Sequence, residues 1–190
     1  ATQSQPLPFD DLSGFDWAVD DIIELSAKGY VKGKGDNKFD PSAQITRAEF
    51  VTMMTRMMKL VSSGDNVPFT DIDAESWYYE SACASYQNGI IKGRSQDGFA
   101  PDANITRAEI AVITGRMLTE WTGETGNLII LHLFSDNSQI PSWAVQGAAT
   151  SVEAGIIEGY NSLFRPQDNA TRAEAAVMLK RLLEKVLEKV

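Results

Sequence analysis

The tetrapeptide Thr-Arg-Ala-Glu occurs three times in this chain, at residues 46–49, 106–109 and 171–174. A verbatim recurrence at long intervals is typical of a repeat protein. A Thr followed three residues later by Glu, just before an apolar run, predicts a helix start. The Thr side chain accepts a first-turn N–H, and the Glu side chain accepts the N–H of the Thr. We therefore expect three copies of one helix, each beginning at this motif.

Two independent markers keep the same spacing along the chain. The phenylalanines Phe9, Phe69 and Phe134 are separated by 60 and then 65 residues. The motif arginines Arg47, Arg107 and Arg172 are separated by the same two intervals. This agreement indicates a repeated structural unit. We predict an N-terminal lead-in at 1–8, repeats at 9–61, 69–121 and 134–185, and a helical tail at 186–190.

Each repeat is predicted to contain two helices joined by a loop. The first helix follows a Trp and ends at a Gly, the residue that commonly follows a helix C-terminus. Helix-capping residues precede each Trp, and an Asp near the start of each repeat is expected to bond backbone near this helix. Given in the order early Asp, capping residue, Trp and Gly, the three copies are Asp11, Asp16, Trp17 and Gly29; Asp71, Ser76, Trp77 and Gly89; and Asp136, Ser142, Trp143 and Gly155.

The loop and the second helix complete the unit. Each loop contains Phe-x-Pro, and we expect this Phe to plug the loop onto the helices. In repeat one the second helix carries an apolar stripe that favours a core position over a binding surface. Two short helices cannot bury these faces alone, so the units share a core, and closure is preferred over an open solenoid. The stripe consists of Phe50, Met53, Met54, Met57 and Met58.

Composition excludes several classes of function. The net charge of −9 argues against a nucleic-acid surface, and no apolar run reaches the ~20 residues of a membrane helix. Cys83 and His132 are the sole residues of their types, so we expect a buried Cys83, no metal and no cofactor. We also expect no enzyme activity, since the carboxylates repeated in register are needed for capping. The run Leu128–Leu131 is either extended or packed over a lobe.

The repeated arginines need an explanation of their own. Each occupies the first helical position, where the helix dipole disfavours a cation by roughly 0.3–1 kcal/mol. One explanation is structural, with each guanidinium paired to a carboxylate of a neighbouring segment. The other is functional, with each Arg and free first-turn amides forming an anion site. Local chemistry leaves both open.

Taken together, the ordered motifs of residues 9 to about 185 resemble the S-layer homology (SLH) domain. The resemblance implies a mostly α, pseudo-threefold, three-pronged body around a central three-helix bundle. It also implies noncovalent anchoring to the bacterial cell wall, outside the cell. The implied ligand is secondary cell wall polysaccharide with ketal-pyruvate on N-acetylmannosamine, bound in grooves between repeats. The chain would then be a monomeric module of a larger S-layer or surface protein.

The resemblance also implies a set of binding residues. The arginines would face the pyruvate carboxylate, the tryptophans would line the grooves, and the glycines would let the backbone approach the sugar. A packing role for the tryptophans stays open, as does their pairing with the arginines. The implied residues are Arg47, Arg107, Arg172, Trp17, Trp77, Trp143, Gly29, Gly89 and Gly155. The loop cations Lys32 and Lys92 are added as candidates from a comparison of the three repeats.

The third repeat departs from this pattern. Glu158 stands where the other repeats have Lys32 and Lys92, and Tyr160 stands where they have Lys34 and Arg94. We expect a groove lined by this loop to bind an acidic sugar weakly or not at all. The alternative function is a helical-repeat scaffold for protein–protein interaction at the cell surface.

Overall fold

The computed structural model describes residues 8–64 and 67–188. The first repeat contains α1 (Val19–Ala27) and α2 (Arg47–Met58), the second α3 (Tyr79–Gln87) and α4 (Arg107–Thr122), and the third α5 (Val145–Glu153) and α6 (Arg172–Leu187). The mostly α prediction with three two-helix repeats is confirmed. Most of the predicted lead-in and the last two residues of the predicted tail lie outside the described residues.

All three predicted capping boxes are present. The Thr46 side chain accepts from the N–H of Glu49 at 3.2 Å, and the Thr46 N–H donates to the Glu49 carboxylate at 3.0 Å. The same reciprocal pairs begin α4 and α6. The motif therefore fixes the start of every second helix by contacts within four residues.

A ring of backbone hydrogen bonds joins the residues that precede these helices. The N–H of Ile105 donates to the carbonyl of Ile45 at 3.0 Å, and the N–H of Ala170 donates to Ile105 at 3.0 Å. The N–H of Ile45 donates to Ala170 at 3.1 Å. Since the third repeat bonds back to the first, the repeats form a closed circuit. In the bundle, α6 packs against both α2 and α4; full threefold equivalence stays a prediction.

Adjacent repeats also meet through their helices. The second helix of each repeat packs against the first helix of the next, as α2 with α3, α4 with α5, and α6 with α1. At the α4–α5 seam, a Cβ on Gly147 would lie 2.7 Å from the Cα of Val112. No side chain fits there, so Gly115 and Gly147 let the two helices approach backbone to backbone.

The Phe-x-Pro loops are anchored as predicted, with Phe39, Phe99 and Phe164 fully buried. The expectation that the early aspartates bond backbone beside the first helix was wrong. Asp11 instead accepts from the N–H groups of Phe39 and Asp40 at 2.9 and 2.8 Å. Its carboxylate thereby holds the middle residue of Phe-x-Pro in a left-handed conformation, and Asp71 and Asp136 do the same.

The start of the first helix differs from the prediction. Asp16, Ser76 and Ser142 do not cap it; the N-cap positions are Ala18, Tyr78 and Ala144, without side-chain caps. Backbone bonds from the N–H groups of Ala18 and Val19 to Phe15 close a turn there instead, at 2.7 and 3.1 Å. Each Trp therefore lies in the turn before the helix.

Other core predictions are confirmed. Met53, Met54, Met57 and Cys83 are buried, and the helix-ending glycines Gly29, Gly89 and Gly155 have φ near +72°. The undecided run after α4 belongs to a 3₁₀ helix, Leu128–Leu133, which packs near α5 through a buried Leu131. A second 3₁₀ helix, Asn137–Gln139, follows it.

Candidate ligand-binding clefts

The motif arginines are buried and reach into the following repeat. In Arg47, Nε donates to the Phe99 carbonyl at 2.9 Å, and Nη1 donates to the Glu109 carboxylate at 3.0 Å. Its guanidinium also lies 4.9 Å from the centre of the Phe99 ring. Arg47 of repeat one thus binds both the loop and the capping Glu of repeat two.

The other two arginines repeat this pattern around the ring. Arg172 donates to the Phe39 carbonyl at 2.8 Å and to Glu49 at 3.4 Å, which joins repeat three to repeat one. Arg107 donates to Phe164 at 2.9 Å, but its nearest carboxylate, on Glu174, is 3.9 Å away. The structural explanation for the arginines is therefore present at all three positions, most weakly at Arg107.

The first-turn amides are not free, so that part of the anion-site hypothesis was wrong. The N–H of Arg47 donates to the Ala103 carbonyl at 2.9 Å, and that of Ala48 to Pro101 at 3.0 Å. The loops of the following repeats satisfy the amides of α4 and α6 in the same way. Any anion near these helices must be held by side chains.

An open cleft of about 650 Å³, which we call the Arg47 cleft, lies beside Arg47. It collects four cationic side chains and one carboxylate, although the whole chain is acidic. It also contains an indole from the third repeat, so all three repeats line it. Its lining is Arg47, Lys92, Gly93, Arg94, Thr106, Glu109, Val112, Ile113, Arg116, Trp143 and Gln167.

Glu109 is the carboxylate of this cleft. Burial favours the neutral form of this acid. Two hydrogen bonds from Arg94, at 2.7 and 2.9 Å, together with the Thr106 N–H and the charge of Arg47, outweigh the cost of burial. These partners hold the pKa of Glu109 below its ordinary value. Glu109 is therefore ionised at neutral pH and already neutralised by Arg47 and Arg94.

Arg116 is a cationic residue that the sequence analysis missed. It is half-buried, burial lowers its pKa, and its Nη1 donates to the Ile90 carbonyl at a long 3.4 Å. It has no carboxylate partner among residues 8–64 and 67–188. The signal was available, because Arg56, Arg116 and Arg181 each follow a motif arginine by nine residues.

The tryptophans are exposed rather than packed in the core. Trp17, Trp77 and Trp143 are 56%, 62% and 58% exposed. Trp143 shares the Arg47 cleft, which settles one pairing of Arg and Trp that the sequence left open. Trp77 lies with Arg56 in a separate cleft of about 700 Å³ between α2 and α3.

Of the predicted glycine and lysine binding residues, Gly89 and Lys92 line a described cleft and the others do not. Gly89 lines a cleft of about 330 Å³ between α4 and α5, which we call the Gly147 cleft. A Cβ on Gly29, Gly89 or Gly155 would meet nothing within 4 Å, so their positive φ explains these glycines without a ligand. Lys92 lines the Arg47 cleft, and the Lys32 carbonyl accepts from Arg172 at 2.9 Å.

A family model described as "S-layer homology domain" matches residues 8–51, 68–111 and 133–176. The chain belongs to the S-layer homology family. The matches correspond to the three repeats that share the clefts, and the resemblance read from the motifs is confirmed.

Known relatives share the SLH repeats within much longer proteins. The chain is 36% identical over 173 residues to an amylopullulanase of Thermoanaerobacterium thermosulfurigenes, covering 89% of this chain and 9% of the relative. It is 31% identical over 191 residues to a surface-layer 125 kDa protein of Lysinibacillus sphaericus, covering 98% of this chain and 16% of that protein. It is 32% identical over 169 residues to S-layer protein sap of Bacillus anthracis, covering 88% of this chain and 20% of that protein.

The cations of the third SLH repeat are paired with carboxylates. Glu158 pairs with Arg181 at 3.0 Å, and Arg165 lies 3.8 Å from Asp168 and 5.1 Å from the centre of the Tyr160 ring. Between α6 and α1, Lys180 pairs with Glu24 of the first repeat at 3.2 Å. The Arg107 side of the ring therefore offers fewer unpaired cations than the Arg47 cleft.

No helix in 8–64 or 67–188 combines the length and apolarity that crossing a membrane requires. Across the same residues, no group of three or more His, Cys, Asp or Glu side chains could hold a metal ion.

Proposed function

We propose that this SLH chain anchors a surface protein to the bacterial cell wall by binding an acidic secondary cell wall polysaccharide in clefts between its repeats. The carrying observation is the Arg47 cleft, where four cations and an exposed indole meet on a chain of net charge −9. Family membership and relatives named as S-layer proteins support this proposal. The chain acts as a noncatalytic, monomeric, extracellular module.

The chemistry of the cleft suits a sugar that carries a carboxylate. An Arg guanidinium presents a planar set of donors that matches a carboxylate. Glu109 pairs with Arg47 and Arg94, and among the described residues Lys92 and Arg116 have no carboxylate partner. The indole of Trp143 offers an apolar face to the C–H side of a sugar ring. Ketal-pyruvate on N-acetylmannosamine provides both features, and we propose it as the recognised group.

The motif arginines have a double role in this proposal. Arg47 holds repeat two in place through bonds from Nε, Nη1 and Nη2 to Phe99, Glu109 and Lys92, and its buried guanidinium adds its charge to the lining of the cleft. Arg172 likewise reaches the loop of repeat one, where its Nη2 donates to the Lys32 carbonyl at 2.9 Å. Arg107 faces the self-neutralised third loop, so we expect its groove to contribute least.

Binding to purified cell-wall sacculi tests the function. The chain should sediment with intact sacculi and stay in solution after acid stripping of their polysaccharide. An unchanged pull-down after stripping would contradict the proposal, and release of soluble sugar would indicate an enzyme. Arg116→Ala is the cleft variant. Lys28→Ala, an exposed cation just after α1 that lines none of the three clefts, is its control.

A protein–protein scaffold is the second candidate, and one observation favours it. The 3₁₀ helix after α4 exposes the apolar side chains of Leu128, Ile129 and Leu133. A scaffold would sediment equally with stripped and intact sacculi and would lose that binding in an Ile129→Ser variant. The glycan proposal predicts no effect of Ile129→Ser on sacculus binding.

A further inference from the structure

The Arg47 cleft continues beyond Trp143 into the Gly147 cleft. The two share Val112, Arg116 and Trp143 in their linings. Because these side chains line both, the two clefts adjoin, and we call the pair the channel, which extends from Arg47 to the seam between α4 and α5. The channel therefore offers a second cleft beside the one that holds the cations.

The two ends of the channel differ in chemistry. The Arg47 end holds the cations, whereas the Gly147 end has hydroxyl, amide and glycine groups with one carboxylate and no cation besides the shared Arg116. Thr119, Thr150 and Gln146 already donate to the carbonyls of Glu124, Gln146 and Gly126, at 2.9, 3.0 and 2.9 Å. Their oxygens keep acceptor capacity, which suits the O–H and acetamido N–H donors of a neutral sugar. Residues that line only the Gly147 end include Gly89, Thr119, Glu120, Thr125, Gln146, Gly147 and Thr150.

Arg116 lines both clefts of the channel. A guanidinium has five N–H donors, and within residues 8–64 and 67–188 Arg116 uses one of them, in the long contact to the Ile90 carbonyl. The exposed indole of Trp143 lines the same stretch. These two side chains provide polar donors and an apolar face where two sugar rings would join.

The Gly115–Gly147 contact keeps the far end open. Glycine inside a helix costs about 1 kcal/mol relative to alanine, and here the close helix crossing requires it. Positions 115 and 147 therefore present only backbone to the Gly147 cleft, and no side chain fills the cleft there.

We infer that this channel binds an acidic oligosaccharide through at least two adjacent sugars. The anionic sugar lies at the Arg47 end, a neutral sugar lies in the Gly147 cleft, and Arg116 and Trp143 contact both. This inference rests on the proposed function and adds a second subsite to it. It assigns Arg116 as a specificity residue for the longer ligand.

Calorimetry with ligands of two lengths tests the inference. The full chain carries Trp77→Ala, so that the α2–α3 cleft contributes little. The ligands are a methyl glycoside of pyruvylated N-acetylmannosamine and its disaccharides with a neutral N-acetylhexosamine on either side. We expect one disaccharide to bind at least about tenfold more tightly than the monosaccharide.

A blocking variant separates the two subsites. Glu120 is exposed on α4 and lines the Gly147 cleft but not the Arg47 cleft. Glu120→Trp should abolish the gain from the second sugar and leave monosaccharide affinity unchanged. Glu188→Trp, at the exposed end of α6, is the matched control and should keep the full gain.

The outcomes distinguish this inference from the function it rests on. If the monosaccharide binds and neither disaccharide binds more tightly, the second subsite is refuted and the proposed function stands. Retention of the gain in Glu120→Trp also refutes the subsite. If no ligand binds at all, the proposed function and the inference both fail.

Discussion

The Nε of Arg172 donates to the carbonyl of Phe39 at 2.8 Å, across 133 positions of the chain. This contact joins the last repeat to the first. Arg47 and Arg107 make the corresponding bonds to Phe99 and Phe164. The motif arginine is therefore a structural connection in the ring as well as a candidate ligand contact, and experiments must separate the two roles.

Arg172→Ala should destabilise the protein strongly. The change removes a buried cation and leaves Glu49 and two carbonyls with one partner fewer, which typically costs about 3–5 kcal/mol. The free energy of unfolding in urea measures this. Arg181→Ala, which removes a partly exposed ion pair, should cost less than about 1 kcal/mol. Similar losses in the two variants would contradict the structural role.

Removing the exposed indoles should affect binding far more than folding. Trp143→Ala should weaken binding to the acidic glycan at least about tenfold, since stacking and apolar contact are lost. Trp17→Ala removes an equally exposed indole next to the self-neutralised groove and should change affinity less than about threefold. Calorimetry gives the affinities, and urea unfolding checks the fold. Equal weakening by both changes would refute the predicted inequality of the grooves.

Restoring cations to the third loop should create an additional site. Glu158→Lys with Tyr160→Arg breaks the ion pair with Arg181 and reproduces the loop charges of repeat two. We expect the number of glycans bound per chain to rise by one in calorimetry. Glu188→Lys changes one charge elsewhere on α6 and serves as the control. An unchanged stoichiometry would show that the charges of this loop do not limit binding.

Acid should weaken the ring through its capping glutamates. The pKa values of Glu49 and Glu109 are lowered from 4.5, against the opposing effect of burial, by hydrogen bonds from Lys34 and Arg94 and by the backbone of Thr46 and Thr106. Their contribution to stability is therefore complete above the unfolded pKa, near 4.5, and is lost as the pH falls through the lower folded pKa.

Glu109→Gln tests this pH dependence. The variant should be less stable than the wild type at pH 7, because Arg47 and Arg94 lose a carboxylate partner. It should also lose less additional stability between pH 5 and pH 3. Urea midpoints across this range are the measurement, and parallel curves for the two proteins would refute the assignment.

Two predictions failed because backbone groups have partners other than those expected. Asp16 was expected to cap α1, but neighbouring bonds from Ala18 and Val19 to Phe15 form the turn instead. The first-turn amide of Arg47 was expected to be free, yet Ala103 of the second repeat accepts from it. Arg116 gives a weak signal, because a single Arg on a helix face is common and only its recurrence with Arg56 and Arg181 at equal offsets distinguishes it.

Residues close in the chain were enough to predict the three repeats, the start of every second helix and the burial of the loop phenylalanines. The Thr46–Glu49 box sets a helix start within four residues, and the phenylalanines are apolar side chains that must leave water. The contact of Arg47 with Glu109, 62 positions away, and the place of Trp143 in the same cleft were known from the folded chain alone. Ring closure brings three repeats together there, and no local spacing encodes that geometry.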